Sequence, residues 1–313
     1  MDKKPLVTQW LAIGIIFLFV GTCIVPTTAQ YNQKQVISSS RGNWLYVGGN
    51  GPGNYSRIQD AIDSAVDGDT VFVYNGTYDE EIRIRKTIDL LGESKDATLI
   101  ETASIGYTVE IMENSTSISG FTIRNTGDHT YPVVRLYTVN KVTISDMILD
   151  GMNDLIGIQL HDADDNRIQQ NFFISCDRAI SIFSKIPYHS FNNTIVDNRI
   201  NGNGTGIELW SSDHTIISNN TFVVRQFGIS FYGGNHNLIE NNTIYDANRP
   251  ISLSSYGMNN TIAYNHIENT NSSRKCSNGI YTNQQGMDTY IRGNIISNYT
   301  FGVLLKDSFI PVV

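Results

Sequence analysis

The sequence predicts an all-β solenoid that is closed at its N-terminal end by a short capping helix. Three observations lead to this prediction: a motif that recurs about every 22 residues, apolar residues that alternate with polar ones in short stretches, and one stretch of helical spacing ahead of the repeats. Units this short cannot bury an apolar face alone, so we expect them to stack on one another.

Residues 1–29 predict a signal peptide, with a charged start at Asp2 to Lys4, an apolar run from Leu11 to Val25, and small residues up to Ala29. The protein is therefore expected to be exported, to the cell surface, the extracellular space or the periplasm. An uncleaved signal is the alternative, and it would be the only contact with a membrane. Residues 30–44 follow as a linker.

Residues 45–92 predict an N-terminal cap and the first strands. Ser56 is a suitable N-cap, and the apolar residues from Ile58 to Val66 have helical spacing up to Gly68. This amphipathic helix would cover the open end of the core. Strands are then predicted at Val71 to Tyr74, Ile82 to Ile84 and Ile88 to Leu91.

The repeats extend over residues 93–308. Each is anchored by an isoleucine, and successive anchors lie 22 to 29 residues apart. The anchors are Ile118, Ile144, Ile168, Ile195, Ile217, Ile239, Ile262 and Ile291. A second strand signal of the "GIEL" type follows each anchor by 11 residues in most units. Period-two alternation and β-branched residues indicate strands here rather than helices.

An asparagine follows each of the last six anchors by three residues. These residues are Asn171, Asn198, Asn220, Asn242, Asn265 and Asn294. Because a buried amide must satisfy both donors and its acceptor, we expect each to bond to its counterpart in the next coil, as a structural ladder. Cys176 and Cys276 lie four such coils apart, about 19 Å at roughly 4.8 Å per coil, so we predict that no disulfide joins them.

The stretch "IQDAIDSAVDGDTVFVYNGTY", followed by repeats such as "NNTIVDNRI" and "GIEL", resembles the pectate-lyase-like superfamily. Within it the chain is most similar to NosD-like proteins and to carbohydrate-binding and sugar-hydrolase repeats, over about residues 45–308. The resemblance implies a single-stranded right-handed parallel β-helix. It is specific for the fold rather than for an activity, since the shared residues are those of the cap, ladder and core.

Aligning the repeats places five rings at one outward position of successive "GIEL" strands. They are Tyr137, His161, Phe183, Trp210 and Tyr232. Rings about 4.8 Å apart on a sheet would form a strip on which sugar rings could stack. The alternative is that this position turns inward at the strand end, and the rings pack in the core or under a loop.

The catalytic candidates are Asp164, Asp213 and Glu208. Asp164 and Asp213 occupy one column two coils apart, about 9.6 Å, which is near the carboxylate separation of inverting glycosidases. Both lie at turns, where aspartate commonly bonds to backbone. Glu208 has serines above and below it. The catalytic sequence motifs that characterise polygalacturonases and pectate lyases are missing from the repeats. An activity as polysaccharide lyase or glycoside hydrolase therefore lacks support from the sequence.

The candidate metal ligands are His214 and His236, which align in adjacent coils. The resemblance to NosD-like proteins, which are linked by name to copper delivery, makes a copper-related accessory role the alternative to glycan binding. Calcium is a further candidate, although no cofactor is required by the sequence.

The chain of 313 residues has a formal charge of −8, which argues against nucleic acid as a partner. From the five aligned rings we expect a binding protein for polysaccharide or glycan, and we expect it to be a monomer. Residues 309–313 form a tail that either folds over the last coil or marks a truncation.

Overall fold

The computed structural model describes residues 42–103, 105–127, 131–185, 189–255, 257–271, 276–283 and 288–306. The predicted signal peptide, most of the linker and the tail 309–313 lie outside these residues. Within them, no helix is long and apolar enough to cross a membrane.

The predicted solenoid is confirmed. Three parallel sheets run along it, and each coil contributes one strand to each sheet. Sheet A contains Trp44–Val47, Thr70–Val73, Asp89–Gly92, Ser117–Ser119, Thr143–Ser145, Arg167–Gln169, Thr194–Val196, Ile216–Ser218, Leu238–Glu240, Thr261–Ala263 and Tyr290–Arg292. Sheet B contains Gly76–Asp79, Thr98–Thr102, Thr122–Asn125, Ile148–Asp150, Phe172–Ile174, Arg199–Asn201, Thr221–Val223, Thr243–Tyr245, His266–Glu268 and Ile295–Ser297.

Sheet C carries the "GIEL" strands. It contains Ile82–Ile84, Val109–Ile111, Val134–Tyr137, Ile156–His161, Arg178–Phe183, Thr205–Trp210, Phe227–Tyr232, Arg249–Ser254, Asn278–Asn283 and Phe301–Leu305. A short pair, Ser190–Phe191 and Ser212–Asp213, lies between sheets C and A. The core is enclosed by the three sheets, because alternate residues of every strand point inward.

The anchor isoleucines pair in register along sheet A, as their alignment predicted. The asparagine ladder is confirmed as well. Asn220, for example, accepts a hydrogen bond from the backbone N–H of Asn198 at 2.9 Å and donates through Nδ2 to Oδ1 of Asn242 at 3.0 Å. Its Nδ2 also donates to the carbonyl of Ile195, at 2.9 Å. The amides therefore satisfy each other in the interior, which is a structural role.

A second ladder was not predicted. It lies two residues before the anchors, where Asn166 receives Val142 N–H and its own N–H donates to Oδ1 of Asn193. The series resumes at Asn237 and Asn260 after an interruption at Thr215. Both corners that flank sheet A are thus held by buried amides.

The glycine of the "GIEL" motif is required by packing. A Cβ atom at Gly206 would lie 2.5 Å from the carbonyl oxygen of Gly228 and 2.6 Å from the ring of Phe222. Neither contact is sterically allowed, and the recurrence of this glycine therefore reflects the close approach of sheet B and the next coil.

The one helix of the described residues is Ile58–Ser64, and the prediction of Ser56 as its N-cap is wrong. The N-cap is Arg57, which makes no side-chain capping bond. Instead the buried carboxylate of Glu80 accepts the N–H groups of Ile58 and Gln59, at 2.8 and 3.1 Å. The N–H groups of the first helical turn, which have no acceptor within the helix, are thus bound by Glu80, the residue that follows the strand Gly76–Asp79.

The prediction that no disulfide forms is confirmed, since Cys176 and Cys276 are separate buried thiols. Burial raises the pKa of Cys176 to about 12, because the thiolate would lose its solvation.

Candidate functional site

The five rings lie on the outer face of sheet C. The backbone register pairs them in the expected order, and we call this set the ring column: Tyr137, His161, Phe183, Trp210 and Tyr232. Trp210 is 40 % exposed, while its neighbours Ile207 and Leu209 are fully buried. Trp210 therefore faces outward and does not pack in the core. The same holds for Tyr137 and Phe183, each 37 % exposed, whereas the side chain of His161 is only 13 % exposed.

The ring contacts form two groups. Tyr137 and His161 meet edge to face with centroids 5.2 Å apart, and His161 lies 5.4 Å from Phe183. Trp210 and Tyr232 are stacked, with centroids 4.2 Å apart and planes inclined by 16°. Stacking covers the faces between these two rings, so the group offers a ligand its ring edges and its two outer ring faces. A free ring face is the shape that suits the C–H face of a sugar ring.

Arg135 fixes the first group. Its guanidinium lies over the rings of Tyr107 and Tyr137, 4.9 and 4.2 Å from their centroids. It donates hydrogen bonds to the Tyr107 hydroxyl at 2.7 Å and to Glu110 at 3.2 Å. It also lies 2.9 Å from Nδ1 of His161. The ring orientations at this end of the column are consequently set by one side chain.

His161 is held as a neutral imidazole. Since arginine can only donate, Nδ1 must be the acceptor, and the proton resides on Nε2. Burial lowers the pKa of His161, and the charge of Arg135 acts in the same direction while Asp162 opposes it. Nε2 is buried without a hydrogen-bond partner, although a carboxylate oxygen of Asp162 lies 3.4 Å away.

Glu208 is neutralised by an arginine rather than paired with a carboxylate. It lies in register between Ser181 and Ser230, and its Oε2 is 2.8 Å from Nε of Arg178. The column neighbours of Glu208 are serines, and the carboxylate near it is that of Asp177, which pairs with the same Arg178 at 3.0 Å.

Serines line the outer face of sheet C beside the ring column. Ser181, Ser230 and Ser252, which we call the serine row, are each at least 96 % buried and stand at equivalent positions of their strands. Within the described residues their hydroxyls make no hydrogen bond to the protein. A ligand on the row would meet them through the 2 to 4 % of the residue surface that is exposed.

Asp164 and Asp213 are separated by Phe191, which lies in the intervening coil. Each carboxylate accepts a backbone N–H from the next coil. Asp164 accepts from Phe191 at 2.7 Å, and Asp213 accepts from Asn235 at 2.6 Å. Both serve to join successive coils, which is a structural use similar to the one expected for aspartate at turns.

His214 and His236 stack as their alignment predicted, with centroids 4.9 Å apart and planes inclined by 17°. Both rings are exposed. Two imidazoles offer two ligands, and no group of three His, Cys, Asp or Glu that could hold a metal ion occurs within the described part of the chain. Cys176 offers no thiolate because of its raised pKa. The histidine pair alone is thus an incomplete metal site.

The sequence did not point to Glu110 or Arg178, although both belong to the surroundings of the ring column. Glu110 pairs in register with Arg135 and could have been found by extending the repeat one coil toward the N-terminus, through "VEI" at residues 109–111. Arg178 is 30 residues from Glu208 and begins the neighbouring strand, so no sequence spacing indicates their contact.

A polar cleft of about 600 Å³ lies at the turns between sheets B and C. It was not predicted from the sequence. Its polar lining includes Asn153, Asn201, Asn203, Arg225, Asp246 and Asn271.

Solved structures share this fold at low sequence identity. An alginate lyase from Paenibacillus sp. str. FPU-7 has 14 % identity and a TM-score of 0.59, over 86 % of this chain and 99 % of the lyase. The Dettilon tailspike protein has 15 % identity and a TM-score of 0.63, over 85 % and 59 %. An α-1,3-glucanase catalytic domain in complex with tetrasaccharides has 12 % identity and a TM-score of 0.59, over 85 % and 68 %.

A comparison with curated protein sequences finds no match. One family model matches most of the chain, over residues 62–275 and again over 188–310, and it is described as periplasmic copper-binding protein (NosD).

Proposed function

This chain belongs to the NosD family of periplasmic copper-binding proteins, and we propose that this member is an exported protein that binds polysaccharide or glycan along the ring column. The observation that supports the proposal is the stacked pair Trp210 and Tyr232, which lies at one end of five outward rings. An exposed indole stacked on a phenol is a preformed apolar surface that needs no ordering when a ligand binds.

The dimensions also support a chain-like ligand. From Tyr137 to Tyr232 the ring column crosses four coil steps, about 19 Å at roughly 4.8 Å per step. The hydroxyls of the serine row, which make no hydrogen bond within the described residues, lie in a parallel column of the same sheet. Apolar rings beside hydrogen-bonding groups match the two kinds of surface that a sugar presents.

Solved relatives of the same fold have names that associate them with saccharides, among them the alginate lyase and the α-1,3-glucanase. Their low identity transfers no activity to this chain. They support the proposal only in that a parallel β-helix surface suits extended sugars.

The test is retention on a broad array of immobilised glycans. The wild type is expected to bind a subset of them, and the double variant Trp210→Ala, Tyr232→Ala is expected to lose that binding with an unchanged far-UV spectrum. The matched control removes two exposed rings outside the column, Tyr264→Ala with Tyr290→Ala, and should bind like the wild type. A wild type that retains nothing, or a control that loses as much as the double variant, contradicts the proposal.

Copper is the alternative ligand, and the specific observation in its favour is the stacked pair of His214 and His236 in a chain of this family. Since the pair is incomplete, tight binding would require further ligands from water or a partner. Titration with Cu²⁺ checks this: if copper is the ligand, His214→Ala lowers the affinity at least tenfold. Nothing in the described residues favours calcium.

Catalysis is the third alternative, as a polysaccharide lyase or glycoside hydrolase. Asp213 is its strongest candidate, because His189 lies 3.3 Å from it in addition to the backbone N–H that it accepts. Release of reducing ends or unsaturated products from mixed polysaccharides, lost in Asp213→Asn, would establish this activity.

A further inference from the structure

Two arginines begin strands of sheet C at equivalent positions, three coils apart, and their surroundings differ. Arg178 precedes Ser181 by three residues, and Arg249 precedes Ser252 by three. Arg178 forms ion pairs with Glu208 at 2.8 Å and with Asp177 at 3.0 Å. The positive charge of Arg178 is therefore compensated by two carboxylates.

Arg249 meets rings where Arg178 meets carboxylates. The residue that follows Ser181 in the next coil is Glu208, whereas the residue that follows Ser252 is Tyr281. The guanidinium of Arg249 lies 5.2 Å from the ring centroid of Tyr281 and 5.8 Å from that of Phe227. Among the described residues no carboxylate lies within ion-pair distance of it.

The two rings hold this cation in place without neutralising it. A cation–π contact orients a guanidinium but leaves its N–H groups in its own plane free to donate. A positive group fixed in this way is an exception on a chain with a formal charge of −8. Planar guanidinium groups bind carboxylate and sulfate oxygens through two parallel hydrogen bonds.

The position of Arg249 relates it to the proposed glycan surface. Its guanidinium lies 5.2 Å from the ring centroid of Tyr281, which is in register with Ser252 of the serine row. Along the strand, Arg249 precedes Ser252 by three residues, about 10 Å at roughly 3.3 Å per residue. Ser254, which is in register with Tyr232, is two residues farther along the strand. A saccharide of a few units can therefore contact the ring column, the serine row and Arg249 together.

We propose that Arg249 is an anion-binding subsite of the glycan surface, so that the ligand is a polysaccharide with carboxylate or sulfate groups. This inference rests on the proposed function. It adds a substrate class, since the rings and serines by themselves suit neutral and acidic sugars alike.

The test compares three soluble polymers in affinity electrophoresis: polygalacturonate for carboxylate, dextran sulfate for sulfate, and unmodified dextran as the neutral polymer. The wild type is expected to be retarded by at least one acidic polymer, and the retardation should decrease with added salt. Arg249→Gln should weaken this binding at least tenfold and remove its salt dependence. Arg249→Lys keeps the charge without the planar fork and should retain part of the affinity.

The matched control is Arg292→Gln, which removes an arginine that lies 5.6 Å from the ring centroid of Tyr264 on sheet A, with the same change in net charge. It should bind the acidic polymers within threefold of the wild type. Unchanged binding in Arg249→Gln, or a wild type that prefers neutral glycans, overturns the inference and leaves the proposed function standing. A wild type that binds no glycan at all, neutral or acidic, overturns both.

Discussion

Trp210 and Tyr232 are in-register neighbours of adjacent strands in sheet C, and their rings lie face to face at 4.2 Å. Ring pairs in proteins more often meet offset or edge to face, as Tyr137 and His161 do. The spacing of the coils, about 4.8 Å, is close to a stacking distance and therefore permits this arrangement, although the same spacing carries the edge-to-face pair.

This pair provides an optical reporter of ligand binding. Downstream of the predicted signal peptide the chain contains Trp44 and Trp210 only. In a Trp44→Phe variant, a bound glycan should change the intensity or shift the emission maximum of Trp210, because the ligand replaces water on its exposed face. The complementary Trp210→Phe variant, which keeps Trp44, should show no change with the same ligand. Equal responses from both variants would place the ligand elsewhere.

The asparagine ladder is expected to be a main determinant of stability. Asn220→Ala would leave the buried N–H of Asn198 without its acceptor and the carbonyl of Ile195 without the Nδ2 donor, at about 1–3 kcal/mol for each unsatisfied group, while Oδ1 of Asn242 keeps the backbone N–H of residue 220. We expect a loss of at least about 3 kcal/mol in urea unfolding.

The control for this change is the preceding residue. Asn219 is exposed and has a φ of 56°, a conformation that glycine adopts without strain. Asn219→Gly should therefore stay within about 1 kcal/mol of the wild type. Comparable losses in the two variants would show that the amide network has no special role.

The protonation of His161 should follow its contact with Arg135. Burial lowers the pKa of His161 from the ordinary value of 6.5, and Arg135 contributes in the same direction. In NMR titrations His161 should therefore remain neutral, with the proton on Nε2, to a pH below 6.5. Because the unfolded chain binds this proton more readily, its contribution to stability is present above pH 6.5 and lost as the pH falls toward the lowered pKa.

Arg135→Gln supplies the comparison. Removing the cation leaves Asp162 as the nearest charge, so the pKa of His161 should rise. A pKa that stays unchanged in this variant would mean that burial alone keeps the imidazole neutral.

Cys176 should resist alkylation in the native protein. With a pKa raised by burial to about 12, the thiolate is a minute fraction at pH 8, and the sulfur is buried as well. Site-resolved mass spectrometry with N-ethylmaleimide should detect labelling only after unfolding. Because the pKa of Cys176 in the folded protein lies above the ordinary value of 9.0, the contribution of this thiol to stability is fully present below pH 9.0. It is lost as the pH rises toward 12. Rapid labelling of the folded protein would contradict this assignment.

Most parts of the structure that repeat were predicted, with the exception of the second asparagine ladder at Asn166, and those that depend on one unrepeated contact were not. The anchors and Asn220 recur at fixed spacing, so alignment alone placed them in register. Glu80 caps the helix from a distant position in the chain, and no residue near Ser56 indicates this contact in the sequence. Its carboxylate satisfies the same donors that a local cap would have served.

The candidate site divides in the same way. The order of the ring column followed from alignment, but its outward direction did not, because a residue at a strand end can turn either way. The compensation of Glu208 by Arg178 depends on side chains that reach across strands, and so does the absence, among the described residues, of a carboxylate beside Arg249. Only coordinates reveal which charges are paired.

The ladder at Asn220 bonds to the coil before it and the coil after it in the same manner. A duplicated coil would find both of these partners already in place, so a gene can lengthen this protein without redesigning its interior. Each added coil would extend the outer face by one ring position and one hydroxyl position. Length can thus change by duplication of coils, and the length of the proposed glycan surface would change with it.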